Sequence, residues 1–319
     1  MLNDWRGHVA RFLFQPESDQ WLAWLRVGLG LGVTLYCVSL RADWNYLFAA
    51  SGLISRDLTE AIVLRDSIMT PRLSWFSDLG HYAGLAENTT ILVLSICLFC
   101  AGLLLMIGLF SRTAAVVAWL LHLCAVKSIG FMTYGVDNFT TIGLFYLMLA
   151  PLPDKYALDY RLRKLPEKDP RRHGFHRRVL QLHLCLVYFV AGLSKCLGKD
   201  WWDGSSMWRA LTRPPFDVLS PETVASCGRL LPLVGISVCL IETSYPFLIW
   251  SRKTRVIWLT LVLTMHIGIG LTMGLYLFSL IMIVLNLAAF APNLSTRFLE
   301  RWRSWWGGNL EAVAALGNK

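Results

Sequence analysis

Charge is scarce in this sequence. Only 16% of its 319 residues are Asp, Glu, Lys or Arg, against roughly a quarter in a soluble domain. With 55% hydrophobic residues, that scarcity excludes a large soluble enzyme and points to a chain that crosses a membrane several times. Acidic residues are fewer still, 21 against 30 basic ones. The cations nevertheless fall in short segments between apolar runs, with no RNA-binding signature, so the imbalance reports topology and not a nucleic-acid partner. There is no HExxH, no GxSxG, no phosphate-binding glycine loop and no Cys/His ligand spacing, which sets aside the zinc proteases, the serine hydrolases and the nucleotide-binding enzymes. His173 and His176 lie among arginines that repel a cation, so no tightly held metal is expected.

Eight cysteines are present. Cys37, Cys97, Cys100, Cys124, Cys185 and Cys239 sit inside apolar runs, where cysteine behaves as a small hydrophobe. Cys97 and Cys100 have CxxC spacing, but their apolar neighbours argue against redox chemistry. Cys196 and Cys227 flank a polar loop and are compatible with a disulfide.

The apolar runs predict an all-α polytopic bundle of about eight transmembrane helices, near 21–40, 89–110, 113–131, 135–151, 178–197, 229–250, 256–272 and 274–291. Residues 1–20 mix Trp5, Val9, Phe12 and Phe14 with Asp4, Arg6 and Arg11, as an amphipathic interfacial segment does, and no cleavable signal peptide is expected. Residues 21–292 make the membrane domain and 293–319 a second amphipathic segment with Trp302, Trp305 and Trp306. Further short interfacial helices are expected between 41 and 88. Arg26, alone in its span, lies early enough to snorkel. Nine of the 30 Lys and Arg fall between 153 and 178, so this loop and both termini are expected in the cytoplasm of a bacterial cell with the chain in its inner membrane.

That orientation brings several polar residues to the outer leaflet. Tyr188–Lys195 is an apolar run with a lysine near its end, followed by Trp201, Trp202, Asp203 and Gly204. Lys195 is either a snorkelling cation or, partly desolvated and free of an ion pair, a neutral amine able to act as base or nucleophile. Asp200 and Asp203 can instead hold it charged. His266 falls at a similar depth, and Asp137, Asn138 and Lys127 lie at the same end. Each has a plainer role open to it: His266 can bond a neighbouring helix, and Asp137 and Asn138 can cap the helix they start. Glu242 lies deeper and reads equally as helix glue or proton relay, while His122 reads as structural. The candidate catalytic residues are thus Lys195, His266 and Asp137, with Asn138, Trp201, Trp202, Asp203 and Glu242 on the substrate side.

Ala191-Gly192-Leu193-Ser194-Lys195 with Trp201, Asp203, Gly204 and Met207 resembles the central motif of the HTTM domain, the membrane domain shared with vitamin K-dependent gamma-carboxylase. Leu25-Arg26, Ile107-Gly108-Leu109-Phe110-Ser111-Arg112, Ala157-Leu158-Asp159 and His266–Gly274 with Phe278 and Met282 agree in order. The resemblance implies that Lys195 matches the base that acts on the reduced quinone, and that His266 matches the late membrane histidine. Where the family pattern has a histidine after the asparagine, this chain has Phe139 after Asn138, and the carboxylase's large lumenal region is missing. The Tyr134-Gly135-Val136-Asp137-Asn138 turn is closer to the bacterial branch typified by sporulation-delaying protein B. The resemblance therefore implies a membrane enzyme or enzyme subunit that matures a secreted, toxin-like peptide rather than carboxylating it. It would act with a small companion membrane protein and, as cofactor, a reduced quinone. The competing reading is a non-enzymatic scaffold or immunity-type peptide receptor that uses its outer tryptophans as anchors.

Overall fold

A computed structural model describes residues 2–53, 55–58, 60–61 and 70–291; the amphipathic segment expected at 293–319 lies outside the described residues. The described chain is all-helical. Its helices are α1 (Leu2–Leu13), α2 (Gln20–Ser39), α3 (Trp44–Phe48), α4 (Leu73–Tyr82), α5 (Glu87–Ile107), α6 (Ser111–Ser128), α7 (Gly135–Leu149) and α8 (Leu158–Arg163). They continue with α9 (Pro170–Leu197), α10 (Lys199–Trp202), α11 (Ser205–Thr212), α12 (Pro221–Ser226), α13 (Leu231–Leu248), α14 (Arg252–Met273) and α15 (Tyr276–Phe290).

A helix stands at each of the eight expected positions, but among the described residues five segments are long and apolar enough to cross a membrane: Gln20–Ser39, Glu87–Ile107, Pro170–Leu197, Gly228–Leu248 and Arg252–Met273. The other three are α6, α7 and α15. At about 1.5 Å per residue, the 15 residues of α7 and of α15 span about 22 Å, less than the ~30 Å hydrocarbon layer. The helix ends follow local chemistry. Asp169 accepts from the Arg171 N–H at 2.9 Å ahead of Pro170 and starts α9. Gly108 (φ +75°) and Gly274 (φ +69°) end α5 and α14 in the left-handed conformation that glycine adopts without strain.

Two four-helix groups make the bundle. One is α2, α5, α6 and α7; the other is α9, α13, α14 and α15. They join where α15 packs on α2 and α7. Gly28 and Gly32, one turn apart on α2, lie directly against Val284 and Ile281 of α15, so the two backbones approach closely. This explains why the short α15 is among the most buried helices, with Ile281, Met282, Leu285, Asn286, Ala288 and Phe290 all inaccessible.

One end of the bundle is pinned by ions and caps. Arg26 does not snorkel: it is 1% exposed, pairs with the fully buried Asp154 at 2.7 Å, and donates to the carbonyls of Leu105 and Met106 at 2.5 and 3.0 Å. Burial among helices gives it a carboxylate and two orphan helix-end carbonyls, a better outcome than bending out to water. Next to it, Asp159 accepts from the backbone N–H groups of Phe110 (3.0 Å) and Ser111 (2.7 Å) and from the Ser111 hydroxyl (3.0 Å), capping α6. Burial raises the Asp159 carboxyl, but these hydrogen bonds outweigh it and hold the group below its ordinary range. Ala157 packs against Gly108. At this same end α1 and its linker dock on α9: Arg177 pairs with Glu17 at 2.7 Å, Arg178 lies over the Phe12 and Trp250 rings, and Phe14 stacks on Phe175.

Two stability outcomes follow. Asp154→Ala leaves Arg26 buried without its counter-ion and should cost about 3–5 kcal/mol, read as a lower unfolding midpoint in detergent; an unchanged midpoint would show the pair to be energetically silent. At Gly192 of α9, an added Cβ would sit 2.5 Å from the Thr243 nitrogen of α13. Gly192→Ala should therefore destabilise by about 1–3 kcal/mol, seen in the same assay, whereas the exposed Leu193→Ala should not.

Candidate functional site

The facing surfaces of α9 and α13 position the site. Tyr188 and Lys195 are seven residues apart on α9, two turns up the same face, and Glu242 and Tyr245 are three apart on α13. Gly192 lets the two helices touch at that level, its Cα lying against the backbone of Glu242 and Thr243. Two polar layers result, separated by about 10 Å along α9.

The first layer is an ion pair between Lys195 Nζ and Glu242 Oε2, with the side chains 22% and 8% exposed. The ammonium also faces the Trp201 ring, its nitrogen 5.4 Å from the centroid, as a cation–π contact requires. Lys195 is thus neither a free amine nor a cation held by Asp200 or Asp203. Asp200 pairs with Arg209, and Asp203 accepts from the Ser205 N–H at 2.9 Å at the start of α11. That hydrogen bond holds the exposed Asp203 carboxyl below its ordinary range. Both acids serve the local turn because their short side chains meet N–H groups and an arginine there before they meet Lys195.

The second layer is a hydrogen-bonded cluster from four helices. Tyr188 and His266 Nε2 lie 2.8 Å apart, Asn286 donates to the Tyr188 hydroxyl at 2.7 Å, and Tyr245 donates to Asn286 Oδ1 at 2.8 Å. The Tyr188 and Tyr245 rings are 4.3 Å apart. Ser279 of α15 donates to the His266 carbonyl at 2.6 Å and fixes α14 in place. His266 Nδ1 is buried and without a partner among the described residues.

The residues 198–204 fold back over the end of α9. Trp202 is 46% exposed, and its Nε1 donates to the Cys196 carbonyl at 2.8 Å. The Trp201 carbonyl rests on Gly235 of α13, and Gly204 (φ +84°) on Pro232. Cys196 points into the helix interface, 3.4 Å from the Thr243 hydroxyl and near the Cys239 carbonyl. It is a free thiol, as is Cys227, so the disulfide that the sequence left open between them is not formed. The helix turns Cys196 toward α13 and away from the loop that carries Cys227.

Asp137 is buried, and its carboxylate accepts from the Tyr134 N–H at 3.0 Å in a capping box. It serves as the cap that the sequence left open, apart from the Lys195 pair. Asn138 and Lys127 are exposed. His122 is 1% exposed and bonds Thr141 at 3.0 Å, a structural role. Phe139 does approach the site: it packs on Phe278 at 6.1 Å, and Phe278 meets His266 edge-on at 5.6 Å. Tyr188, Tyr245 and Asn286 were not among the expected site residues, although Asn286 is a lone amide in an otherwise apolar stretch and so carried a signal. A cavity of about 290 Å³ where the end of α2 faces α5 is lined by Cys37, Arg41, Trp44, Ile96 and Phe99, and another of about 380 Å³ on α11 is lined by Arg209, Thr212, Arg213 and Phe216; neither is lined by Lys195 or His266.

Chemically, a buried ammonium–carboxylate pair lies close in free energy to the amine and carboxylic acid that one proton transfer produces, because low polarity penalises the ions. Glu242 is in direct hydrogen-bond contact with the Lys195 nitrogen, the arrangement that such a transfer requires. Among the described residues no cluster of metal-ligating side chains occurs. No curated protein and no solved structure matches the chain. The HTTM domain model matches residues 69–293, more than two thirds of the chain. The chain belongs to the HTTM domain family and is a membrane protein related to the vitamin K-dependent carboxylases.

Proposed function

We propose that this protein is a membrane enzyme, or the membrane subunit of one, that matures a secreted toxin-like peptide at the outer face of the bacterial inner membrane. The observation that carries the reading is the Lys195–Glu242 pair set two helical turns from the buried His266–Tyr188 hydrogen bond. A structural ion pair needs no such neighbour, whereas proton transfer needs a base, a proton acceptor for it and a donor to the reacting oxygen within one site. Lys195 is the base, Glu242 its proton partner, His266 the donor, and Trp201 and Trp202 the cover that keeps water from the pair. A reduced quinone, if bound, would be held beside Lys195 and Trp201 and would supply the reducing or proton-abstracting chemistry there; Lys195 would be the base once its own proton has passed to Glu242, which would then stand as the carboxylic acid. Asp137 acts through the start of α7.

In this reading α6, α7 and α15 also cross, giving eight spans with both termini cytoplasmic, and α1 lies in the interface. The nine cations between 153 and 178 support that orientation, and the burial of α15 among other helices supports a short helix being tolerated at membrane depth. A small companion protein presents the peptide to the rim at 198–230.

Lys195→Met keeps the length of the side chain and removes the amine. Product formation from the cognate peptide, followed by mass spectrometry, should fall by about 10²–10⁴-fold while protein level and companion binding persist. Glu242→Gln should lose less, since the amine remains. Unchanged product in Lys195→Met would sink the enzymatic reading and leave a peptide-binding scaffold. Purified protein assayed with and without reduced menaquinone tests the cofactor.

A further inference from the structure

The chain of hydrogen bonds that ends at His266 has a direction set by its members. Asn286 Nδ2 donates to the Met282 carbonyl at 2.8 Å, and a carbonyl can only accept, so the orientation of this amide is fixed. The second Nδ2 hydrogen goes to the Tyr188 oxygen at 2.7 Å, and Asn286 Oδ1 accepts from Tyr245 at 2.8 Å. Tyr188 therefore keeps its own proton for His266 Nε2, 2.8 Å away. The reverse arrangement, with Nε2–H donating to Tyr188, would strand both the Tyr188 proton and a bare Nδ1 lone pair. The arrangement drawn here strands a single group, the Nδ1–H. Tyr188 is 2% and His266 3% exposed, so bulk water does not reach either.

We infer that Tyr245, Asn286 and Tyr188 are positioning residues that lock His266 in the Nδ1–H tautomer and present that hydrogen as the binding point for an acceptor oxygen of a ligand. Phe278 stands edge-on to the imidazole at 5.6 Å, with Phe139 behind it, so the wall beside this donor is aromatic. Flat carbonyl compounds suit such a wall, because a ring face or edge packs on it while the carbonyl oxygen takes the N–H. The tautomer follows from hydrogen bonding alone; the assignment of a ligand to it rests on the function proposed above.

The test is nitrogen NMR of the full chain in lipid nanodiscs with ¹⁵N-labelled histidine, the His266 signals being identified among the seven histidines by their loss in His266→Gln. Wild type should show a neutral ring with its proton on Nδ1. Asn286→Asp is close to isosteric and, ionised in spectra taken at raised pH, offers Tyr188 only acceptors in place of a donor. The Tyr188 proton then turns to residue 286, and His266 must supply Nε2–H, so the tautomer flips. A wild-type proton on Nε2, or an unchanged tautomer in Asn286→Asp, overturns the inference. If that variant does not fold, Tyr188→Phe serves: it should give mixed tautomers, and a wild-type spectrum would overturn the inference equally. Menadione, added as a flat carbonyl probe, should shift the Nδ1 signal in wild type and not in Asn286→Asp; no shift in wild type overturns the ligand half and leaves the tautomer standing. Lys195→Met should leave the tautomer unchanged, so this inference and the proposed function fail separately.

Discussion

A polar group buried among these helices has no water to turn to, and its partner has to come from another helix. Arg26 on α2 is met by Asp154 and by the last carbonyls of α5. Lys195 on α9 is met by Glu242 on α13, and Tyr188 by Asn286 on α15 and His266 on α14. Each pairing joins two elements, so each also sets their register. Apolar surface alone would let α9 slide along α13; a lysine that must find one carboxylate does not.

The two ends of the bundle use this constraint differently. At the Arg26 end Arg26 and Asp159 each have several partners, and the three stretches around Arg26, Gly108–Ser111 and Ala157–Asp159 meet in one place to brace helix ends. At the Lys195 end the pairing is incomplete: Lys195 keeps about a fifth of its surface open, and His266 holds a donor without an acceptor. A framework that is rigid at one end and unfinished at the other is what a site needs in order to bind a ligand without rearranging its scaffold. Phe139 fits this division. Standing one ring removed from His266, it makes the wall apolar where a second imidazole would have supplied another proton carrier.

The helices were legible because apolar length is written locally, and all eight expected positions are helical. That Lys195 and His266 need polar partners was legible too, since an ionisable group in an apolar run has few inexpensive explanations. Partners were not. Arg26 read as a snorkelling cation because Asp154, its partner, is 128 residues away in a loop that looked merely polar. The Lys195 carboxylate was sought among Asp200 and Asp203, near in sequence, and not at Glu242, whose placement depends on how far α13 extends past the end of α9. Asp137 was placed in the site on shared depth alone, and depth does not specify which way a helix face turns. The Cys196–Cys227 bond, which the sequence left open, is not formed because the α9 face turns Cys196 toward α13.

α9 reaches from the braced end to the site. Its 28 residues measure about 42 Å, well over the ~30 Å of hydrocarbon, and Arg177, Arg178 and the close contact of Gly174 with Gln15 clamp its base to the N-terminal segment. Lys195 lies 18 residues beyond that clamp, about 27 Å along a stiff rod. A tilt of about 2° at the base carries the amine sideways by about 1 Å, more than the ~0.5 Å tolerance of a working site. The contacts of the N-terminal segment therefore help to set the angle of the helix that carries Lys195 against Glu242.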